Sequence, residues 1–304
     1  MSGNLPQRLK APLKALRASQ PFNALATGLV RGVLRGTGLH SEWAIAHLHR
    51  VGPVEAALPN GRTLRLWSRG DDWVSNQVFW RGWAGYEPET TPLFFRLATR
   101  ARVTLDVGAY VGFFALLAGH ANAAAAVFAF EPLPGPYERL QRNVAANGLA
   151  NVTCLAAAAG ASDGTAELFH VPGTMPTSSS LSLEFMRPAG KLQRLAVPVV
   201  ALDRFVSERG LARVDLVKVD TESTEPDVLE GMRETLARDR AAIVCEVLQG
   251  RGAERRLTER LGGLGYRFFL LTPEGPVRKD AVEGHPTWLN YLFSTEESVP
   301  GLGT

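Results

Sequence analysis

Cysteine is scarce: the 304 residues hold two, Cys154 and Cys245, and neither belongs to a C-x-x-C pair or a Cys/His cluster. That excludes a disulfide framework and a zinc-ligand pattern, and it reads as two buried free thiols in a reducing cytosol. Long apolar runs are missing too. No stretch reaches the roughly 18 to 20 apolar residues that a bilayer span needs, and the start lacks an apolar segment followed by a small-residue cleavage site. The expected location is therefore cytoplasmic. Net charge is small, with 33 Lys and Arg against 30 Asp and Glu. Without a dense basic patch interleaved with aromatics, no nucleic-acid partner is expected. His120, His170 and His285 stand apart with no partner spacing, and no Ser/His/Asp arrangement is visible.

One absence is local. The first 41 residues carry Arg8, Lys10, Lys14, Arg17, Arg31 and Arg35 but no Asp or Glu. With Leu9, Leu13 and Leu16 at helical spacing, this segment reads as a basic amphipathic helix able to touch a membrane surface. The alternative is an extension that packs its leucines on the rest of the chain, because Pro6 and Pro12 interrupt any long interfacial helix.

What is present is enough for one large core: 45% of the residues are hydrophobic and 21% charged. Residues 1–90 read as the basic helical extension plus a small β cap. In the cap, two short runs flank Asn60-Gly61, a hairpin signal. Residues 91–304 read as the main domain. An amphipathic helix over 92–100 leads to apolar runs at 103–107, 127–130, 152–156, 214–219, 241–247 and 267–271, separated by helical patterns. That alternation predicts right-handed crossovers and a mostly parallel α/β sheet. A last run at 288–293 is expected to pair antiparallel with its predecessor, completing seven strands. Between the third and fourth strands, the Ser/Thr/Gly/Pro-rich segment 172–182 reads either as a lid over a site or as a surface insertion.

The sharpest motif is Asp106-Val-Gly108-Ala-Tyr110-Val-Gly112, at the change from an apolar strand to an apolar helix. A dinucleotide site wants G-x-G-x-x-G to seat a pyrophosphate. Here the third glycine is missing, and an acid two residues before Gly108 repels pyrophosphate. Such an acid suits a ligand with a cationic amino-acid end, such as S-adenosylmethionine. The next strand ends in Glu131-Pro132, where a carboxylate can accept from both ribose hydroxyls; the plainer alternative is an acid opening a helix. The small-residue loop holding Ser162 and Asp163 is a weaker candidate for the adenine side.

The order Asp106-Val-Gly-Ala, Phe130-Glu-Pro, Leu140 with Asn143 and Asn147, Leu202-Asp203, Asp215-Leu-Val-Lys218-Val-Asp220-Thr-Glu222, and Glu225 with Val228-Leu-Glu-Gly231 resembles the FkbM methyltransferase family. The likeness runs over about 104–246. It implies a Rossmann-like methyltransferase fold, S-adenosylmethionine as cofactor, and O-methyl transfer to a hydroxyl of a sugar, glycan or polyketide-type acceptor. Two positions depart from the family pattern: Tyr110 stands where Asn is usual, and Ser223-Thr224 where Gly and a variable residue are usual.

The run from Lys218 to Glu225 falls at the carboxyl end of the fourth strand, where open α/β sheets bind ligands. Alternation puts Lys218 and Asp220 on one face, with Glu222 following in the loop and Glu246 ending the next strand. Three readings stay open. Asp220 is the general base for the acceptor hydroxyl; or Asp220, Glu222 and Glu225 hold a divalent cation such as magnesium; or Lys218 only neutralises Asp220. Alternatives to O-methylation are a nitrogen or carboxylate target, and cofactor binding without catalysis. Oligomeric state is not legible.

Overall fold

The computed structural model describes residues 19–37, 41–173, 175, 179–186 and 191–296. The leucine-bearing basic segment 1–18 and part of the Ser-rich segment lie outside them. The chain forms two compact units, 1–86 and 87–304.

The first unit holds α1 (Gln20–Thr37), α2 (Glu42–His47), β1 (Val51–Ala57), β2 (Thr63–Arg69) and α3 (Trp73–Arg81). β1 and β2 pair antiparallel from Val51↔Arg69 to Ala57↔Thr63 around the Asn-Gly turn. Their side chains alternate buried and exposed, as a half-buried hairpin requires. Asp72 starts α3 by accepting from the Ser75 amide at 2.6 Å, and Trp80 ties that helix to the Leu48 carbonyl.

The second unit begins with α4 (Thr91–Ala98), followed by β3 (Val103–Val107), α5 (Phe113–Ala121), β4 (Ala126–Phe130), α6 (Pro134–Asn147) and β5 (Val152–Leu155). Next come the short β6 (Ala158–Ala159), β7 (Gly164–His170), β8 (Ser179–Ser180), α7 (Leu183–Met186) and β9 (Gln193–Val200). The chain continues through α8 (Leu202–Glu208), β10 (Leu216–Val219), α9 (Glu225–Glu230), α10 (Arg233–Asp239), β11 (Ala242–Glu246) and α11 (Ala253–Gly262). It closes with β12 (Arg267–Thr272), β13 (Gly275–Lys279) and β14 (Asn290–Ser294).

The main sheet runs β13-β12-β14-β11-β10-β3-β4-β5. Pairing is parallel from β5 across to β11, so the order reverses between β3 and β10 and opens the switch-point crevice there. The sheet has eight strands rather than the seven expected. β14 inserts between β11 and β12, antiparallel to both, and the terminal hairpin is β12–β13. β14 thus pairs antiparallel with β12, the run expected as its predecessor, and β13 adds an edge strand beyond β12 that was not expected. α5 is apolar all round and almost wholly buried, since α4 covers the side away from the sheet; Phe94 meets Phe114 edge-on at 4.9 Å.

The stretch between β5 and α8 is more than a loop. It builds a second, four-stranded sheet in the order β6-β9-β7-β8, over Leu133, Leu168, Val197 and Val199.

Candidate functional site

Strand register assembles the site. β3 and β10 align Asp106 with Lys218, and β10 and β11 align Lys218 with Val244. β11 and β14 align Glu246 with Asn290. Since side chains two apart share a face, Asp106, Lys218, Asp220, Glu246 and Asn290 gather at the carboxyl end of the central strands. The Lys218 ammonium is fully buried, 3.3 Å from Asp220 Oδ2, 3.4 Å from Asn290 Oδ1 and 4.0 Å from Glu87 Oε2. It also lies 5.0 Å above the Phe114 ring. Asn290 donates to Glu87 at 3.0 Å, closing the network. Burial works to lower the Lys218 pKa, but Asp220, Glu87, Glu246 and Asp106 together outweigh it and the net shift is upward. Lys218 is a locked cation, unsuited to take a proton.

The carboxylates respond in the opposite way. Burial raises Asp106 to about 7 against the Lys218 charge and the Ala115 amide, which donates to Asp106 Oδ2 at 2.8 Å. Burial, reinforced by Asp220 and Glu225, raises Glu222 to about 8. Glu246 is pushed well above the carboxylate range by burial and by Asp220 and Glu222, and its Oε2 is out of water with no hydrogen-bond partner. Two carboxyls beside Asp220, Glu222 and Glu246, are thus shifted toward the protonated form by burial.

The glycine loop after β3 is held by backbone contacts. The Gly108 and Ala109 amides donate to the Phe130 carbonyl, locking the glycine loop onto the end of β4. Gly108 has φ +81°, and a Cβ there would lie 1.8 Å from the Asp220 carbonyl oxygen, so the loop and the end of β10 meet as bare backbone. Asn143, fully buried on α6, holds the Val111 carbonyl at 2.8 Å. Glu131 accepts one amide on each oxygen, from Tyr110 and from Leu133, both at 2.8 Å. Burial raises it to about 7 against those two donors. Each oxygen has capacity for a second donor, so the pair of oxygens fits a ribose diol. Pro132, beside it, is half-buried.

Other candidates are placed differently. Ser162 and Asp163 are exposed at the start of β7; Asp163 accepts from the Ala201 amide and pairs with Arg204 at 3.3 Å. Glu225, one of the three carboxylates in the cation reading, is engaged by its own loop. Its Oε1 takes the Thr221 and Ser223 amides at 3.1 and 2.9 Å and the Thr221 hydroxyl at 3.2 Å, so the carboxylate fastens its own loop. Among the described residues no three His, Cys, Asp or Glu side chains are arranged to hold a metal ion. The Ser-rich segment reaches this loop, since Ser180 donates to the Glu222 carbonyl at 2.6 Å. Glu87 and Asn290 were not anticipated. Asn290 had a signal, as a polar residue opening an apolar strand; Glu87 had none.

The two departures from the family pattern both fall in left-handed backbone: φ is +51° at Tyr110 and +81° at Ser223, with +56° at Glu222. Asn tolerates that region and Gly occupies it freely.

A mostly parallel sheet with one inserted antiparallel strand, a glycine loop after β3 and an acid ending β4 together define the Rossmann-like fold of S-adenosylmethionine-dependent methyltransferases. A family model described as the methyltransferase FkbM domain matches residues 106–270, just over half of the chain, and the chain belongs to that family. It is 25% identical over 236 residues to the 31-O-demethyl-FK506 methyltransferase FkbM of Streptomyces tacrolimicus, covering 69% of this chain and 87% of that protein. It is 32% identical over 156 residues to methyltransferase sdnD of Sordaria araneosa, covering 43% and 60%. A third relative, methyltransferase 1 of Beauveria bassiana, is 31% identical over 143 residues, covering 42% and 57%. The chain thus spans less than two thirds of the length of the last two. Among solved structures, the FkbM methyltransferase of Methylobacillus flagellatus is 15% identical with a TM-score of 0.40, covering 64% of this chain and 43% of that one.

Proposed function

We propose that the protein is an O-methyltransferase that moves a methyl group from S-adenosylmethionine to a hydroxyl of a sugar, glycan or polyketide-type acceptor. The observation that carries this reading is the acid-rich row at the switch point, with one locked cation, Lys218, inside it.

Bound S-adenosylmethionine supplies an electrophilic sulfonium methyl. The chain's part is to place an oxygen nucleophile in line and receive its proton. Asp220, a quarter exposed and fixed from behind by Lys218, is positioned to take that proton as the new carbon–oxygen bond forms. Glu222, raised to about 8, and Glu246, shifted upward by burial, donate hydrogen bonds to neighbouring acceptor oxygens when protonated. A polyhydroxylated acceptor satisfies donors and acceptors side by side. A carboxylate acceptor meets like charge at Asp220, and an amine held beside Asp220 is favoured in its protonated, non-nucleophilic form. Glu131 and Asp106 would hold the ribose and amino-acid ends of the cofactor.

The test is methyl transfer to a panel of sugars and macrolide alcohols, read by product mass and by S-adenosylhomocysteine release. Asp220→Asn is expected to lower kcat by about 10² to 10⁴-fold while leaving S-adenosylmethionine affinity nearly unchanged. EDTA is expected to leave turnover unaltered. Ester or N-methyl products would overturn the hydroxyl assignment, unchanged turnover in the variant would move the base elsewhere, and tight cofactor binding that never yields product would mark a non-catalytic protein.

A further inference from the structure

Helix α1 is amphipathic the wrong way round. Its polar residues, spaced one turn apart, face the first unit. Asn23 donates to the His49 carbonyl at 2.9 Å and accepts from the Val51 amide at 2.7 Å. Thr27 accepts from Arg50 at 3.2 Å, and the Arg31 guanidinium lies 4.6 Å above the Phe79 ring. Asn23 and Thr27 are only 8% and 2% exposed. The large apolar residues point outward: Phe22 is 44% exposed, Leu25 63%, Leu29 62% and Val33 63%. On a helix of 3.6 residues per turn these four fall on one narrow stripe. A surface helix normally does the reverse and buries its apolar stripe. Six of the seven large hydrophobics exposed among the described residues lie in this unit, Trp43 and Trp73 being the other two.

We propose that the apolar stripe of α1 docks on an anionic lipid bilayer, with the helix lying in the interface. Charge selects this occupant. Residues 1–41 hold six Lys and Arg and no acid, so an apolar stripe of about three turns sits within a purely basic segment. An anionic surface attracts the bases of this segment other than Arg31, which is turned to Phe79, whereas the rival occupant, a second copy packed along Gly28, Gly32 and Gly36, brings two base-only segments together. Among the described residues no helix is long and apolar enough to cross a membrane, which fits a helix lying on the surface. Large, partly exposed tryptophans suit the headgroup level. The proposal is independent of the methyl-transfer reading.

The full chain is tested by flotation with phosphatidylcholine vesicles, plain or containing about one third phosphatidylglycerol. The protein is expected to float with the anionic vesicles, to bind less as salt rises, and to stay down with the neutral ones. Leu25→Glu with Leu29→Glu is expected to lower the bound fraction at least about tenfold without changing the melting temperature or S-adenosylmethionine affinity. Leu25→Ser with Val33→Ser gives the same readout should the glutamates disturb folding. No flotation of the natural chain overturns the proposal, as does undiminished flotation of both variants. Dimerisation in free solution that the variants abolish, with no vesicle binding, assigns the stripe to a second copy instead.

Discussion

A lysine with no exposed surface persists only where its charge is answered from several sides. At Lys218 the answer comes from Asp220, Asn290 and Glu87, with Asp106 and Glu246 adding their fields. The sequence showed the Lys218–Asp220 pair by alternation alone, and it showed Glu131 by position at a strand tip. It could not show Glu87, whose side chain joins the network through chain reversal before α4, more than a hundred residues from Lys218. Nor could it show the burden Glu131 carries. Its two oxygens satisfy the amides of Tyr110 and Leu133, so truncation to alanine would unseat the glycine loop as well as remove a ribose contact. Glu131→Gln is the milder change, since its amide oxygen keeps one of the two backbone N–H contacts, and its melting temperature shows how much the loop is disturbed. Calorimetric titration of this variant with S-adenosylmethionine is expected to show a loss of about 1.5 to 3 kcal/mol, at least about tenfold in Kd. Unchanged affinity would remove the ribose assignment.

At the scale of elements, several residues of the family pattern fasten loops. Asp203 accepts from the Glu234 and Thr235 amides and starts α10, Asp215 accepts from the Arg102 and Val103 amides at the foot of β3, and Asn143 holds the glycine loop. Gly231 is the clearest case. A Cβ there would lie 2.0 Å from the Gly160 carbonyl oxygen, so the end of α9 and the end of β6 touch through backbone. Gly231→Ala forces one of them away and is expected to cost more than about 3 kcal/mol, read as a large fall in urea midpoint; a near-neutral result would mean the contact is slack. The elements that pattern alone missed have separate physical causes. β13 reads Gly-Pro-Val-Arg-Lys, an edge strand whose proline and charges hide it. β7 and β9 start exposed and bury only their far ends, so no steady alternation marks them. The pairing of β14 with β12 was expected, but its insertion against β11, a partner distant in sequence, is not encoded in local periodicity. The parallel strands β3, β4, β10 and β11 were legible because burial on both faces leaves short apolar runs between helical patterns.

Across the whole molecule, the concentration of buried acids has a consequence for stability. Asp106, Glu131 and Glu225 are each raised to about 7 and Glu222 to about 8, with burial the leading cause in every case. A carboxyl whose folded pKa exceeds its unfolded value binds more protons when folded. Its favourable contribution is therefore complete below the unfolded pKa, near 4, and is lost as pH climbs through the folded value. Lys218, raised from an already high value, does not titrate in that window and cannot offset the loss. The melting temperature is accordingly expected to fall by several degrees between about pH 5.5 and about pH 8.5, against the usual behaviour of a protein whose acids are salt-bridged at the surface. Glu222→Gln removes one of these groups without disturbing the Glu225 loop cap, so the pH slope of its melting temperature should flatten. A slope identical to that of the natural chain would show that Glu222 stays ionised when folded, and would take from the acceptor side one of the two carboxyl donors that favour a polyhydroxylated substrate.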